Sequence, residues 1–146
     1  MKCAELIETE TPAPARHDLV RMPNGMLGFE AIKDYVLISN PAEHPFAWLK
    51  VQDNATLAFV VIDPFIALPD YQPDIPQADV EFLKLNQPDD AMLLGVVTIH
   101  NERRATVNLK GPIVVNRHTH VAKQVIIANA SAYSVTHPLP VAEAAA

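Results

Sequence analysis

Two is the dominant period of the apolar residues between the ends of this chain, and the pattern constrains the fold more than any other feature. Side chains of a β-strand alternate between the two faces of a sheet, so runs with this period predict strands. The runs with this period are Tyr35–Ser39, Phe46–Gln52, Leu57–Asp63, Met92–His100, Thr106–Asn116 and Lys123–Ala128. Because runs with a helical period are scarce, we expect a mainly β fold.

The run Thr106–Asn116 shows the alternation most clearly. One face would carry Val107, Leu109, Gly111, Ile113 and Val115, and the other Thr106, Asn108, Lys110 and Pro112. Because proline cannot donate a ladder hydrogen bond, Pro112 predicts an edge strand or a bulge. The runs Leu57–Ile62 and Met92–Ile99 are apolar on both faces, which predicts central strands covered on both sides.

One helix is predicted over Pro76–Leu85, because Pro76 suits a first turn and Asp79 and Glu81 lie near the positive end of the helix dipole. A shorter turn is predicted over Gly28–Tyr35. Short strands joined by short loops, with one short helix, indicate a small antiparallel β-barrel-like or sandwich domain. We expect that domain over residues 18–140, after a flexible arm at 1–17 and before a disordered tail at 141–146.

Charge and cysteine content exclude several classes of function. The net charge of −6 argues against direct nucleic-acid binding, which relies on lysine and arginine. The single cysteine, Cys3, cannot form an intrachain disulfide, which is typical of a reducing compartment. The N-terminus lacks the apolar region of a signal peptide, and every apolar run is too short to span a bilayer. We therefore expect a cytoplasmic protein.

The sequence lacks the common catalytic motifs. Its four glycines cannot build a phosphate-binding loop, and no serine lies in a nucleophile-elbow pattern. The pairs Asp89-Asp90 and Arg103-Arg104 are predicted to be solvated turns. We expect a binding protein without enzyme activity, metal or cofactor.

The segment His118-Thr119-His120 leaves one alternative open. On a strand the two imidazoles would share a face and could hold one metal ion, as in a small metal- or ligand-binding β-barrel. The spacing resembles the first cupin motif, but six residues instead of five separate Gly111 from His118, and no glycine follows Gly111 to build the second motif. The other interpretation is a polar hairpin tip whose histidines face water.

Several blocks of the chain resemble the FliW family. The most specific are Leu-Ala-Phe-Val-Val-Ile-Asp-Pro-Phe at 57–65, followed by Pro69-Asp70-Tyr71, and the block Thr106–Asn116. Shorter similarities at Phe46–Leu49, Lys123–Ile127, Tyr133 and His137–Leu139 extend the resemblance over Leu19 to Leu139. FliW chains usually begin with a regular hairpin, whereas the arm before Met22 is irregular here.

The resemblance implies a minimal antiparallel β-barrel and a regulator that switches between two protein partners. FliW-like proteins bind flagellin in the cytoplasm. Once flagellin has been exported, they bind CsrA, an RNA-binding repressor of flagellin messenger RNA translation, away from its RNA-contacting surface. The resemblance thus implies flagellin and CsrA as partners, and we expect no nucleic acid, no membrane and a monomer when free.

The predicted partner-binding residues are Asp63, Pro64, Phe65, Asp70, Tyr71, Asn108 and Lys110. The first five lie where a strand runs into a proline-rich loop, and loops carry function more often than strands do. Asn108 and Lys110 point away from the apolar face of their predicted strand. Turn chemistry is the alternative role of Asp63-Pro64 and Pro69-Asp70, and Tyr71 could instead cover the end of the barrel.

Overall fold

The computed structural model describes residues 16–53 and 57–139 and has a mainly antiparallel β architecture. The strands in these ranges are β1 (Arg16–Arg21), β2 (Asp34–Ser39), β3 (Phe46–Val51), β4 (Ala58–Ile62), β5 (Ala91–Asn101), β6 (Arg104–Val107), β7 (Ile113–Asn116), β8 (Ala122–Gln124) and β9 (His137–Leu139). Two short helices accompany them, α1 (Pro64–Ala67) and α2 (Gln77–Phe82). No helix in the described ranges has the length and apolar character that a membrane crossing requires. The predicted fold class is confirmed.

The long strand β5 divides the sheet into two branches. The main branch runs in the order β1-β2-β3-β4-β5-β6-β9, and every neighbouring pair is antiparallel. The first residues of β5 pair instead with β7, which pairs in turn with β8. A single bridge between Arg21 and Val121 brings the end of β1 next to β8. The sheet therefore curls into a barrel-like shape without a continuous closing ladder.

The prediction of one strand over Thr106–Asn116 is wrong, because the chain turns between β6 and β7. The side-chain oxygen Oδ1 of Asn108 accepts hydrogen bonds from the backbone N–H groups of Lys110 and Gly111, at 2.9 and 3.0 Å. An asparagine that bonds its own backbone two residues on stabilises a turn. Pro112 has no N–H to donate, so the ladder cannot continue through it. The two predicted faces do not hold either, since Thr106 and Val114 are as buried as Val107 and Ile113.

The start of the first strand and the length of β8 also differ from the prediction. The arm was expected to reach residue 17, but β1 begins at Arg16 and pairs along its whole length with β2. Only Val20 in β1 is buried, so the strand carries no apolar period that sequence reasoning could detect. The predicted strand Lys123–Ala128 shrinks to β8 at Ala122–Gln124. Residues 1–15, with Cys3, and the tail 141–146 lie outside the described residues.

The helix predicted over Pro76–Leu85 is shorter than expected. Pro76 precedes its first turn, and α2 ends before Lys84, whose positive φ of 59° is incompatible with a continuing helix. An ion pair between Asp79 and Lys123 of β8 joins α2 to the sheet. The segment Gly28–Tyr35 contains turns as predicted, but Asp34 and Tyr35 already belong to β2.

Apolar side chains fill both faces of the sheet. The first core lies inside the curled sheet and includes Met22, Tyr35, Leu49, Val61, Leu94 and Ile113. The second core lies on the opposite face and includes Ile62, Tyr71, Val97, Val107, Leu109 and Ile127. A small third cluster contains Leu83, Val114 and Val125. Because β4 and β5 contribute to both large cores, the prediction that they are central strands is confirmed.

Candidate partner-binding surface

The segment that follows β4 begins with a capped helical turn. The Asp63 side chain accepts a hydrogen bond from the backbone N–H of Phe65 at 2.9 Å and so caps α1, while Pro64 occupies the first helical position. Pro64 is fully buried, and Phe65 and Ile66 project outward with 42% and 48% of their surface exposed. Asp63 and Pro64 therefore perform the turn chemistry that was the alternative prediction, and they present Phe65 and Ile66 to solvent.

Tyr71 lies in the second core and not on the surface. Only 2% of its surface is exposed, and its hydroxyl donates a hydrogen bond of 2.6 Å to the backbone oxygen of Leu109. Its ring packs against Tyr133 and Phe65, with centroid distances of 4.8 and 5.7 Å. Burial raises the pKa of Tyr71 well above its usual range, and the neighbouring Tyr133 adds to the shift. This burial suits the covering role that was the alternative to partner contact.

The hydrogen bond from Tyr71 brings together the two stretches that the sequence singled out. Leu109 lies between Asn108 and Lys110, 38 residues after Tyr71. Asn108 and Lys110 are partly buried, and the turn that they form is held by the Asn108 side chain. The backbone oxygen of Lys110 accepts a hydrogen bond from Ile127 at 3.2 Å. Asn108 thus has a structural role in this turn, next to the Asp63–Tyr71 segment.

A third segment, absent from the predicted site, fastens the loop in place. Tyr133 accepts a hydrogen bond from the backbone N–H of Gln72 at 2.9 Å. Asn129 accepts one from the N–H of Asp74 and donates one to the backbone oxygen of Gln72, at 2.8 and 2.9 Å. These partners lie more than 50 residues apart in sequence. No local pattern could have identified Asn129, because its role depends on a contact made only in the folded chain.

The exposed part of this region is acidic and apolar. Asp63, Asp70 and Asp74 are exposed on the same segment as Phe65 and Ile66, and we call these five residues the acidic loop surface. No lysine or arginine occurs between Lys50 and Lys84. Such a surface is suited to a protein partner that carries basic and apolar groups. The proline and aspartate spacing of the loop could have pointed to Asp74, and the exposure of Ile66 required the structure.

The two histidines of the metal-binding alternative, His118 and His120, contact different groups. The ring nitrogen Nε2 of His118 lies 3.0 Å from the buried carboxylate of Asp90, and Nδ1 of His120 lies 3.1 Å from the backbone oxygen of Leu19. The segment is a turn between β7 and β8, as the hairpin interpretation expected. No three metal-ligating side chains come together in residues 16–53 and 57–139. His118 and His120 are therefore held by different parts of the chain.

Asp90 itself differs from its predicted role as a solvated turn residue. Its carboxylate is buried and accepts hydrogen bonds from the backbone N–H groups of Asn86 and Gln87, at 2.9 and 3.1 Å. The Asn86 amide, together with His118, lowers the pKa of Asp90. Asp90 therefore anchors the segment between α2 and β5 and has a structural role.

Comparison with known proteins identifies one family throughout. The family model described as FliW protein matches residues 8–139. The Flagellar assembly factor FliW of Syntrophus aciditrophicus is 40% identical over 111 residues, which cover 75% of this chain and 70% of that protein. The FliW of Geobacter sulfurreducens is 38% identical over 121 residues, covering 82% and 75% respectively. A crystal structure of the flagellar assembly factor FliW superimposes with a TM-score of 0.74 at 34% identity, covering 82% of this chain and 84% of the other.

Proposed function

The chain belongs to the FliW family, and on that premise we propose that it is a cytoplasmic flagellar assembly factor that acts by binding two proteins in turn. One partner is flagellin. The other is CsrA, whose repression of flagellin messenger RNA translation ends when this protein binds it. The protein works by association and catalyses no reaction.

The acidic loop surface is the observation that supports this proposal best. It combines three exposed aspartates and two half-exposed apolar side chains on a loop held by hydrogen bonds to Leu109, Asn129 and Tyr133. A loop fixed in this way loses little conformational freedom on binding, so its contacts contribute more fully to affinity. CsrA binds RNA, which requires basic groups, and a basic protein is complementary in charge to this surface.

Partner switching requires that the affinities for the two partners be linked. If flagellin lowers the affinity for CsrA by some factor, CsrA must lower the affinity for flagellin by the same factor. Free flagellin then holds the protein away from CsrA, and exported flagellin releases it. The net charge of −6 disfavours a direct complex with the messenger RNA.

Calorimetric titration of each partner, alone and in the presence of the other, tests the proposal. Asp70 is exposed, so Asp70→Lys reverses its charge without burying a lysine. We expect Asp70→Lys to weaken at least one complex by about 1–3 kcal/mol. Asp53→Lys reverses an exposed charge beyond the end of β3 and should leave both affinities unchanged.

Two outcomes would overturn the proposal. Binding of flagellin and CsrA that is additive and mutually indifferent would remove the switch. Tight binding to flagellin messenger RNA, with no affinity for either protein, would remove the assignment altogether. Tyr71 is unsuitable for this experiment, because its replacement would disturb the core as well as the surface.

A further inference from the structure

A groove of about 450 Å³ lies on the second-core face of the sheet, separate from the acidic loop surface. Phe46 and Trp48 of β3, Val60 of β4, Ile99 of β5 and Ala105 of β6 form its apolar wall. We call it the Trp48 groove. None of the five residues of the acidic loop surface lines it.

The strand register explains why these side chains meet. Trp48 pairs with Val60, and Val60 pairs with Val97, so the three side chains lie in a row on one face. Ile99 follows Val97 on the same face and pairs with Ala105. Trp48 and Ile99 nevertheless keep 37% and 60% of their surface exposed. A contiguous exposed patch that contains tryptophan and isoleucine is typical of an interaction site.

The rim of the groove is acidic. Among the lining residues, with His44 counted as neutral, Glu43 and Glu102 are the ones that carry a full charge. The indole N–H of Trp48 donates a hydrogen bond of 3.2 Å to the Glu43 carboxylate, which places that charge at the edge of the apolar wall. Arg104 neighbours Ala105 along β6, and its side chain therefore points to the opposite face of the sheet.

We propose that the Trp48 groove binds an amphipathic, basic segment of a partner protein. An aliphatic side chain of that segment fills the space between Trp48 and Ile99, and flanking lysine or arginine residues pair with Glu43 and Glu102. This combination of an apolar anchor and charged neighbours is a common form of groove recognition. The inference does not depend on flagellin or CsrA.

Charge argues against two other occupants of the Trp48 groove: a segment of this chain outside the described ranges, and a second copy of the chain. The residues of this chain outside the described ranges include Glu5, Glu8, Glu10 and Glu143 against the single basic residue Lys2, so they do not complement an acidic rim. In a symmetric pair of copies, the same patch would face itself and bring the two acidic rims together. A basic segment meets neither obstacle.

Trp48 is the only tryptophan of the chain, so its fluorescence reports directly on the groove. The probe is a labelled peptide of leucine and lysine at helical spacing without aromatic residues, and the control peptide has glutamate in place of lysine. We expect saturable binding of the lysine peptide with a blue shift of the Trp48 emission, and no binding of the glutamate peptide. Ile99→Ser should raise the Kd by about tenfold, and Glu102→Gln by about two- to fivefold.

Val135→Ser is the matched control for Ile99→Ser, since Val135 is 51% exposed and does not line the groove. It should leave the Kd unchanged. Binding without an emission shift, or equal loss in the Val135 and Ile99 variants, would overturn the inference. So would a concentration-dependent dimer of the free protein, measured by sedimentation, that Ile99→Ser dissociates, because a second copy would then be the occupant.

Discussion

The two ends of one face of the sheet differ in burial in this protein. Val97 and Ile99 lie two residues apart on β5 with their side chains on the same face, yet Val97 is 7% exposed and Ile99 is 60% exposed. Tyr71, Leu109 and Ile127 pack with Val97 in the second core. At Ile99 the same face is open and forms the wall of the Trp48 groove.

The difference in burial between the two ends arises from the loops and not from the strands. Both ends carry apolar side chains on regular antiparallel strands. At the covered end, long-range hydrogen bonds from Tyr71, Gln72 and Asp74 hold a loop over the sheet. At the open end, the polar contact of Trp48 is with Glu43, only five residues away. An apolar strand face becomes core only where the chain returns to cover it, and elsewhere it remains available to a partner.

The largest effect is expected from truncation of Tyr71 at the covered end. Tyr71→Ala removes a buried ring and its hydrogen bond to Leu109, so it should lower the free energy of unfolding by about 3–5 kcal/mol. Urea denaturation followed by circular dichroism measures this change. A loss below about 1 kcal/mol would show that Tyr71 does not hold the covered end together.

A smaller, pH-dependent effect is expected from Tyr71→Phe, which removes only the hydroxyl. At neutral pH it should cost about 1–2 kcal/mol, because the Leu109 oxygen loses its donor. The pKa of Tyr71 is raised in the folded state, so the stability that its protonated hydroxyl contributes is fully present below the unfolded pKa of about 10. That contribution is lost as the pH rises above this value towards the folded pKa.

The difference in stability between wild type and Tyr71→Phe should therefore shrink above about pH 10. Urea titrations of both proteins from neutral to alkaline pH measure it. Tyr35, whose pKa is also raised by burial, is present in both proteins and cancels in the comparison. A difference that stays constant across this range would contradict the assigned environment of Tyr71.

The smallest effect on stability is expected at the open end. Ile99→Ser should change the free energy of unfolding by no more than about 0.5 kcal/mol, because the side chain is mostly exposed. Urea denaturation of Ile99→Ser and Tyr71→Ala under the same conditions compares the loss of unfolding free energy at the two ends. A loss comparable to that of Tyr71→Ala would mean that Ile99 belongs to the core, and the contrast between the two ends would fail.

Elements whose signal lies within one segment are predicted correctly from the sequence. The strands β2 to β5 were predicted within a residue or so of their observed ends, because backbone geometry alternates side chains within a single strand. The period of two does not reveal the break between β6 and β7, because Val107 and Ile113 are an even number of positions apart and fit the same alternation on both sides of the turn. Strand β1 is not predicted because Val20 is its only buried residue, so its sequence shows no alternation. Its backbone hydrogen bonds to β2 hold it in the sheet.

The predicted partner-binding residues show the same division. Asp63, Phe65 and Asp70 are exposed on the predicted loop, whereas Tyr71 is buried and Asn108 holds a turn. A local pattern places a residue in a loop but cannot tell which side of that loop faces the core. Asn129, whose contacts reach residues more than 50 positions away, gave no local signal.

The sequence by itself determined the strands β2 to β5, the short helix after Pro76, the acidic character and the family. Each of these depends on neighbouring residues or on composition, which the linear chain contains in full. Only the tertiary structure decided that β5 serves two branches, that Tyr71 is buried, and that the face beyond Val97 stays open. Burial and hydrogen bonding there depend on atoms supplied by distant segments, and those meet only after the chain has folded.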